Sequence, residues 1–186
     1  MRGSRFIGYS SPVENREGAE SYVKEISKRH HDATHHCFAY RVGVGDASSF
    51  RTSDGGEPSG TAGRPILEAI DGRELTNTVC VVTRYFGGSK LGTGGLARAY
   101  GQCAAKTLDR GRKVRKYLSV RCRVLFKYDL TGAVMALVSK YGYRIEETLF
   151  GSEAEIILRV RQAKIDDFEQ DIINSTAGKV RIIREG

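Results

Sequence analysis

The sequence has no apolar run long enough to cross a membrane as a helix, which excludes a helical membrane protein. No charged and then apolar leader precedes a cleavage site, so a cytoplasmic protein is expected. The four cysteines (Cys37, Cys80, Cys103 and Cys122) are scattered, and no two form a Cys-x-x-Cys pair. That spacing argues against a disulfide framework and predicts buried free thiols. No Ser, Cys or Thr stands beside a base visible in the sequence, so no nucleophile is assigned and no catalytic residue is named. Two nucleotide signatures are also missing. A Walker loop needs Ser or Thr after its lysine, and Lys90 is followed by Leu91. The dinucleotide fingerprint needs a third glycine where Ala97 stands in Gly92-Thr93-Gly94-Gly95-Leu96-Ala97.

Residues 84–95 are the centre of what is present. The apolar run Val79-Cys80-Val81-Val82-Thr83 predicts a strand. After it comes Arg84-Tyr85-Phe86-Gly87-Gly88-Ser89-Lys90-Leu91-Gly92-Thr93-Gly94-Gly95, with five glycines in nine residues. Leu96, Ala99, Tyr100, Cys103, Ala104 and Leu108 then recur at helical spacing. A strand, a glycine loop and a helix start together make an anion-binding surface, because the first helical amides are unpaired and sit at the positive end of the dipole. Arg84, Tyr85, Gly87, Gly88, Lys90, Gly92, Gly94, Gly95 and Arg98 are its candidate ligand residues. The competing reading is a tight turn whose glycines serve packing alone.

Net charge is +8. The excess lies in the first part: residues 1–117 hold 19 Lys and Arg against 12 acids, and the remainder 11 against 10. Arg110, Arg112, Lys113, Arg115 and Lys116 form the densest cluster. They fit contacts to a nucleic-acid backbone, and equally a solvated helix end whose cations face the negative pole of the dipole.

Residues 45–60 are polar and glycine-rich and predict a loop. Asp54 and Glu57 there can accept hydrogen bonds from a ligand or hold a hydrated cation; alternatively Asp54 starts a turn and Glu57 pairs with an arginine. His30, His31, His35 and His36 lie within seven residues, but they span a helix end, a turn and a strand start. His35 and His36 face opposite sides of a strand, so no metal site is assigned.

Hydrophobic spacing predicts strands over residues 5–10, 36–44 and 79–83, and helices over 14–31, 61–75 and 96–110. These imply a mixed sheet carrying three helices. From Tyr117 the pattern changes. Strands are expected at 118–126, 143–150, 154–161 and 180–184, with helices at 130–141, capped by Asp129, and 164–175. That order is βαββαβ, the ferredoxin-like arrangement.

Three blocks carry a resemblance: Asp32-Ala33-Thr34-His35-His36-Cys37-Phe38-Ala39-Tyr40-Arg41; Asp54-Gly55-Gly56-Glu57-Pro58-Ser59-Gly60-Thr61-Ala62-Gly63-Arg64-Pro65; and Arg84-Tyr85-Phe86-Gly87-Gly88 with Leu91-Gly92-Thr93-Gly94-Gly95-Leu96 and Arg98-Ala99-Tyr100. Together they resemble the IMPACT family. Two departures stand out. Gly55 replaces the second acid of the family's usual Asp-Asp-Gly-Glu-Pro, and Ser4-Arg5-Phe6-Ile7 lies almost at the chain start, where the family carries a further strand. The first weakens a doubly acidic metal-type site; the second predicts a shortened first strand. Met1-Arg2-Gly3-Ser4 also resembles a vector scar.

The resemblance implies an α+β protein of two domains. Residues 1–115 would form a ribosomal-protein-like α/β domain with a left-handed βαβ crossover. Residues 116–186 would form a ferredoxin-like domain similar to one in translation elongation factor G. It adds His35, Asp54, Glu57, Gly60, Thr61 and Gly63 to the candidate ligand residues. It implies a cytosolic, translation-associated regulatory protein that binds RNA or another phosphate-bearing ligand through two glycine-rich loops. Ribosome-associated components or a protein are its expected partners, with no membrane and no cofactor. Eukaryotic relatives regulate the translation response to amino-acid starvation by binding a partner protein, and they carry an extra N-terminal module not seen here, so that partner does not transfer. The alternative is a hydrolase, a peptidase or phosphate-handling enzyme, using the acidic loop.

Overall fold

β4 (Thr78–Tyr85) is the strand on which the first unit is built, and six of its eight residues, Val79 to Arg84, are buried. A strand covered on both faces needs a near-continuous apolar run, and Val79-Cys80-Val81-Val82 supplies it. The computed structural model describes residues 3–185; Met1 and Arg2, the head of the scar-like segment, lie outside them. Its contacts divide the chain after Lys113 into two units.

In the first unit the chain runs β1 (Arg5–Pro12), α1 (Arg16–Arg29), β2 (His35–Val42), β3 (Ser49–Ser53), α2 (Gly63–Asp71), β4 and α3 (Thr93–Arg110). The sheet order is β1-β4-β2-β3. Every strand pair among the described residues is antiparallel, which corrects the expected mixed sheet. The α1 and α2 crossovers each return to a strand two places away, so the strands they join run parallel but never touch.

Strand alternation sorts the core into two layers. Val79 and Val81 pack with Phe38, Tyr40 and the α1 residues Ala19, Val23 and Ile26. Cys80 and Val82 pack with Cys37, Ala39, Ile66 and Ile70 of α2, and Leu96, Tyr100, Ala104 and Leu108 of α3. Asn15 caps α1, its side chain accepting from the Gly18 amide at 2.9 Å. Pro12 closes β1 on a sheet edge rather than breaking it earlier, a position where a missing donor costs little.

β3 falls where the sequence predicted only loop. Its four leading residues, Ser49 to Thr52, are exposed at the other edge, so no buried stripe marked it. α2 is shorter than expected at both ends, with Pro65 in its first turn.

The second unit runs β5 (Ser119–Phe126), α4 (Thr131–Tyr141), β6 (Ile145–Phe150), β7 (Ala154–Arg161), α5 (Ile165–Thr176) and β8 (Arg181–Glu185). Its sheet order, β6-β7-β5-β8, is antiparallel throughout the described pairs, as a βαββαβ fold requires. Cys122, Val124, Phe126, Ile156, Leu158 and Val160 meet Val134, Leu137 and Val138 of α4 and Phe168 and Ile172 of α5. Gly142 ends α4 in the left-handed conformation at φ 66°. Asp129 does not cap α4: no side chain closes that helix start, and Asp129 lies inside the short turn leading into it. The fold is α+β in both units.

Candidate functional site

Arg84 shares parity with Cys80 and Val82, so its side chain enters the layer of α2 and α3. There its Nη1 donates to Glu57 Oε1 at 2.7 Å, and both side chains are only 4% exposed. Tyr100 of α3 donates its hydroxyl to the same oxygen at 2.8 Å. Arg84 Nη2 reaches Ser4 Oγ at 3.1 Å. The rings of Phe6 and Phe86 lie 5.5 and 5.2 Å from the guanidinium carbon, and Phe6 meets Tyr100 edge-on at 5.1 Å. A buried arginine so enclosed is a positioning element: it ties the loop after β3 to the loop after β4. Losing one partner of such a pair leaves a buried charge uncompensated, at a cost of about 3–5 kcal/mol.

His35 sits beside this pair. Its Nδ1 is 3.0 Å from the Gly55 carbonyl oxygen, which only accepts, so Nδ1 carries the proton. Its Nε2 then lies 3.9 Å from Glu57 Oε1. His36 points to the opposite layer, where burial lowers its pKa and its Nδ1 has no hydrogen-bond partner. The two histidines therefore separate as strand alternation predicted. Cys37 donates its thiol to the Asp54 carbonyl at 2.9 Å, and burial pushes its pKa up to about 12. Cys80 is likewise pushed to about 12 by burial. Burial thus disfavours the reactive thiolate at both cysteines.

Asp54 has an internal task. Its Oδ1 accepts from the amides of Ala62 and Gly63 at 2.9 and 2.8 Å, and its Oδ2 from Gly60 at 2.9 Å. Burial by itself would raise its pKa, but these three backbone bonds outweigh it and hold the carboxyl below its ordinary value. The carboxylate thus closes the start of α2 from eight or more residues upstream. Gly63 also has a packing reason: a side chain there would lie 2.8 Å from the Ser53 amide nitrogen. Thr61 Oγ1 donates to the Pro58 carbonyl at 2.6 Å. Within the acidic loop, then, Asp54, Gly60, Thr61 and Gly63 are bonded to one another or to the loop's own backbone.

The start of α3 is different. Gly92, at φ 71°, precedes the helix and no side chain caps it. Thr93 and Gly94 are exposed, as are Gly88, Lys90 and Arg98, and Gly95 is half-buried. Arg98 folds back over the first turn: a side chain on Gly94 would lie 3.7 Å from Arg98 Nη1. The root of the loop is fixed, with the Gly87 amide donating to Ser4 Oγ at 3.2 Å and the Phe86 amide to Thr34 Oγ1 at 3.2 Å.

Tyr85 leaves this group. It faces the α1 side, where its hydroxyl donates to Asp32 Oδ1 at 3.0 Å and lies 2.9 Å from His30 Nδ1. His30 Nε2 continues to the Tyr9 hydroxyl at 2.6 Å. Because Tyr85 gives its proton to Asp32, His30 Nδ1 must be the donor to Tyr85, and Tyr9 the donor to Nε2. Arg110 ends α3, and Arg112, Lys113, Arg115 and Lys116 follow in exposed chain. Asp109, the acid nearest in sequence, is held by Arg73 at 2.6 Å.

Sequence reasoning missed Ser4, Phe6 and Tyr100 around the ion pair. Phe6 had a signal in principle, since β1 places it opposite Arg84. Tyr100 was read only as core. Among the described residues, no group of three or more His, Cys, Asp and Glu side chains is placed to hold a metal ion.

The Impact N-terminal domain family matches residues 2–108, and a domain of unknown function (DUF1949) matches residues 124–179. The chain is 36% identical over 183 residues to the IMPACT family member YvyE of Bacillus subtilis, covering 98% of this chain and 83% of that protein. It is 32% identical over 186 residues to the IMPACT family member YigZ of Escherichia coli, covering 98% and 90%. A crystal structure described as that of a hypothetical protein is similar with a TM-score of 0.66 at 29% identity, over 100% of this chain and 91% of that one.

Proposed function

The chain belongs to the IMPACT family, and from that membership we propose that it is a cytosolic regulator of translation that binds RNA through the glycine loop 87–95. One observation carries the choice of loop. Of the two helix starts served by glycine-rich segments, α2 is closed by the Asp54 carboxylate, while α3 has no side-chain cap and is flanked by exposed Lys90 and Arg98. Open amides at the positive end of an eighteen-residue helix suit a phosphate oxygen. The exposed cations at Arg110, Arg112, Lys113, Arg115 and Lys116 suit further backbone contacts. A translation setting is what the family resemblance implies, through its eukaryotic members and through the likeness it implies between the second unit and a domain of elongation factor G.

Glu57 Oε1 and both oxygens of Asp54 are engaged internally, which favours binding over hydrolysis by the acidic loop. The test is fluorescence anisotropy of a labelled RNA with the full chain across a salt series. Affinity that falls steeply with salt supports the reading, because each neutralised phosphate releases counterion. Salt-independent binding, or none at low salt, rejects it in favour of a protein partner.

A further inference from the structure

Phe86 is 47% exposed at the foot of the glycine loop, two residues after the last of six buried strand residues. Single exposed hydrophobics are common and need no explanation by themselves. This one is held unusually firmly. Its ring lies 5.2 Å from the guanidinium carbon of Arg84, and Arg84 is fixed in turn by Glu57 and Ser4. Its backbone amide is tied to Thr34. The next two residues are Gly87 and Gly88, which carry no side chain to cover the ring, and then come Ser89 and Lys90. The chain after the ring is therefore small and polar with one cation, Lys90, and it leads to the open α3 start. A protein interface anchored on Phe86 would want an apolar patch around it. A flat ring with cations nearby fits a nucleobase joined to phosphate.

The exposed aromatics described in the second unit, Tyr117, Tyr128 and Phe150, all lie outside its two central strands, β5 and β7. On the sheet face away from its helices, β5 carries Arg121, Arg123 and Leu125, and β7 carries Glu155, the buried Ile157 and Arg159. Arg121 pairs with Glu146, Glu147 and Glu185, Arg123 with Glu155 and Glu185, and Arg159 with Glu146. RNA-binding sheets of this topology stack bases on aromatics of the central strands, and here that face carries paired charges, Leu125 and Ile157.

We infer that Phe86 is a base-stacking shelf, and that the nucleic acid this protein takes is a single-stranded segment whose unstacked base lies on Phe86 while its phosphate meets the glycine loop. The inference rests on the phosphate reading above. Bases inside a duplex are stacked on each other and cannot reach the ring.

The experiment measures anisotropy of a labelled polyuridine of about 12 nucleotides, within the span of known single-strand sites, and of a duplex of equal length. The full chain is compared with Phe86→Ala, Phe86→Leu and Phe86→Tyr. Single strands should bind more tightly than duplex. Phe86→Ala and Phe86→Leu should each weaken single-strand binding by roughly tenfold with the salt slope unchanged, and Phe86→Tyr should retain it. Phe86→Leu keeps an apolar cover over Arg84, so a loss there is read on a folded protein, checked by its Tm. Salt-dependent binding that all three variants share with the parent overturns the shelf and leaves the phosphate reading standing. Failure of the parent to bind either RNA at low salt overturns both.

Discussion

Arg84 of β4 and Glu57 of the loop after β3 stand twenty-seven residues apart and meet through a 2.7 Å charge-assisted hydrogen bond in a layer where each side chain is 4% exposed. Tyr100 adds a second donor to the same carboxylate oxygen, and Ser4 accepts from the other end of the guanidinium. One pair thus fixes the relative position of the acidic loop, the glycine loop and α3.

Arg84→Ala should lower stability by about 3–5 kcal/mol, since it strands the Glu57 carboxylate in the core. Arg84→Lys keeps the charge but loses the fork that holds Glu57 and Ser4 together, and it should fall between the parent and the alanine variant. Urea melts of Arg84→Ala, Glu57→Gln and the double variant check the coupling. The double variant should be less damaged than the sum of the two; additive losses would mean that the residues act independently.

Asp54→Ala should cost about 0.5–2 kcal/mol at neutral pH, the range for losing a helix cap. The dependence on acid follows from the direction of its shift. The folded carboxyl holds its proton less tightly than the unfolded one, because the Gly60, Gly63 and Ala62 amides outweigh burial. Its contribution is complete above the unfolded value of about 4, and it is lost as pH falls through the lower folded value. The gap between parent and Asp54→Ala in denaturant melts should therefore narrow below about pH 4. A gap that stays constant to lower pH would show that the carboxylate charge is not what holds the α2 start.

Lys90→Ala and Arg98→Ala should leave melting almost unchanged, since both side chains are exposed. Each should lower the slope of log affinity against log salt by about one if its cation meets a phosphate. Slopes identical to that of the parent would remove these two residues from the ligand surface.

Much of this site was legible before folding. The strand, glycine loop and helix announced themselves through a change from a buried run to helical spacing, and the βαββαβ order through clean alternation. That Glu57 pairs with an arginine was one of two open readings, and strand parity puts Arg84 on the side where that pair forms. What stayed hidden has a common cause. Asp54 caps a helix that begins at Gly63, outside the local window in which a cap is sought. Ser4 and Phe6 reach Arg84 only through the register of β1 against β4. β3 pairs at an edge with polar, exposed residues and so lacks the apolar alternation that marks a strand. Tyr85 was grouped with the loop by proximity in sequence, although the alternation that sends Arg84 inward sends Tyr85 to the α1 side.

The central claim is that phosphate is taken at the open start of α3 while the start of α2 is already occupied by Asp54. Backbone amide shifts of the isotope-labelled full chain, followed during titration with a short single-stranded RNA, test it most directly. The account predicts that the amides of Thr93, Gly94 and Gly95 move with RNA concentration while those of Gly60, Ala62 and Gly63 stay in place. Movement of the second set alone, or of neither set, would contradict it.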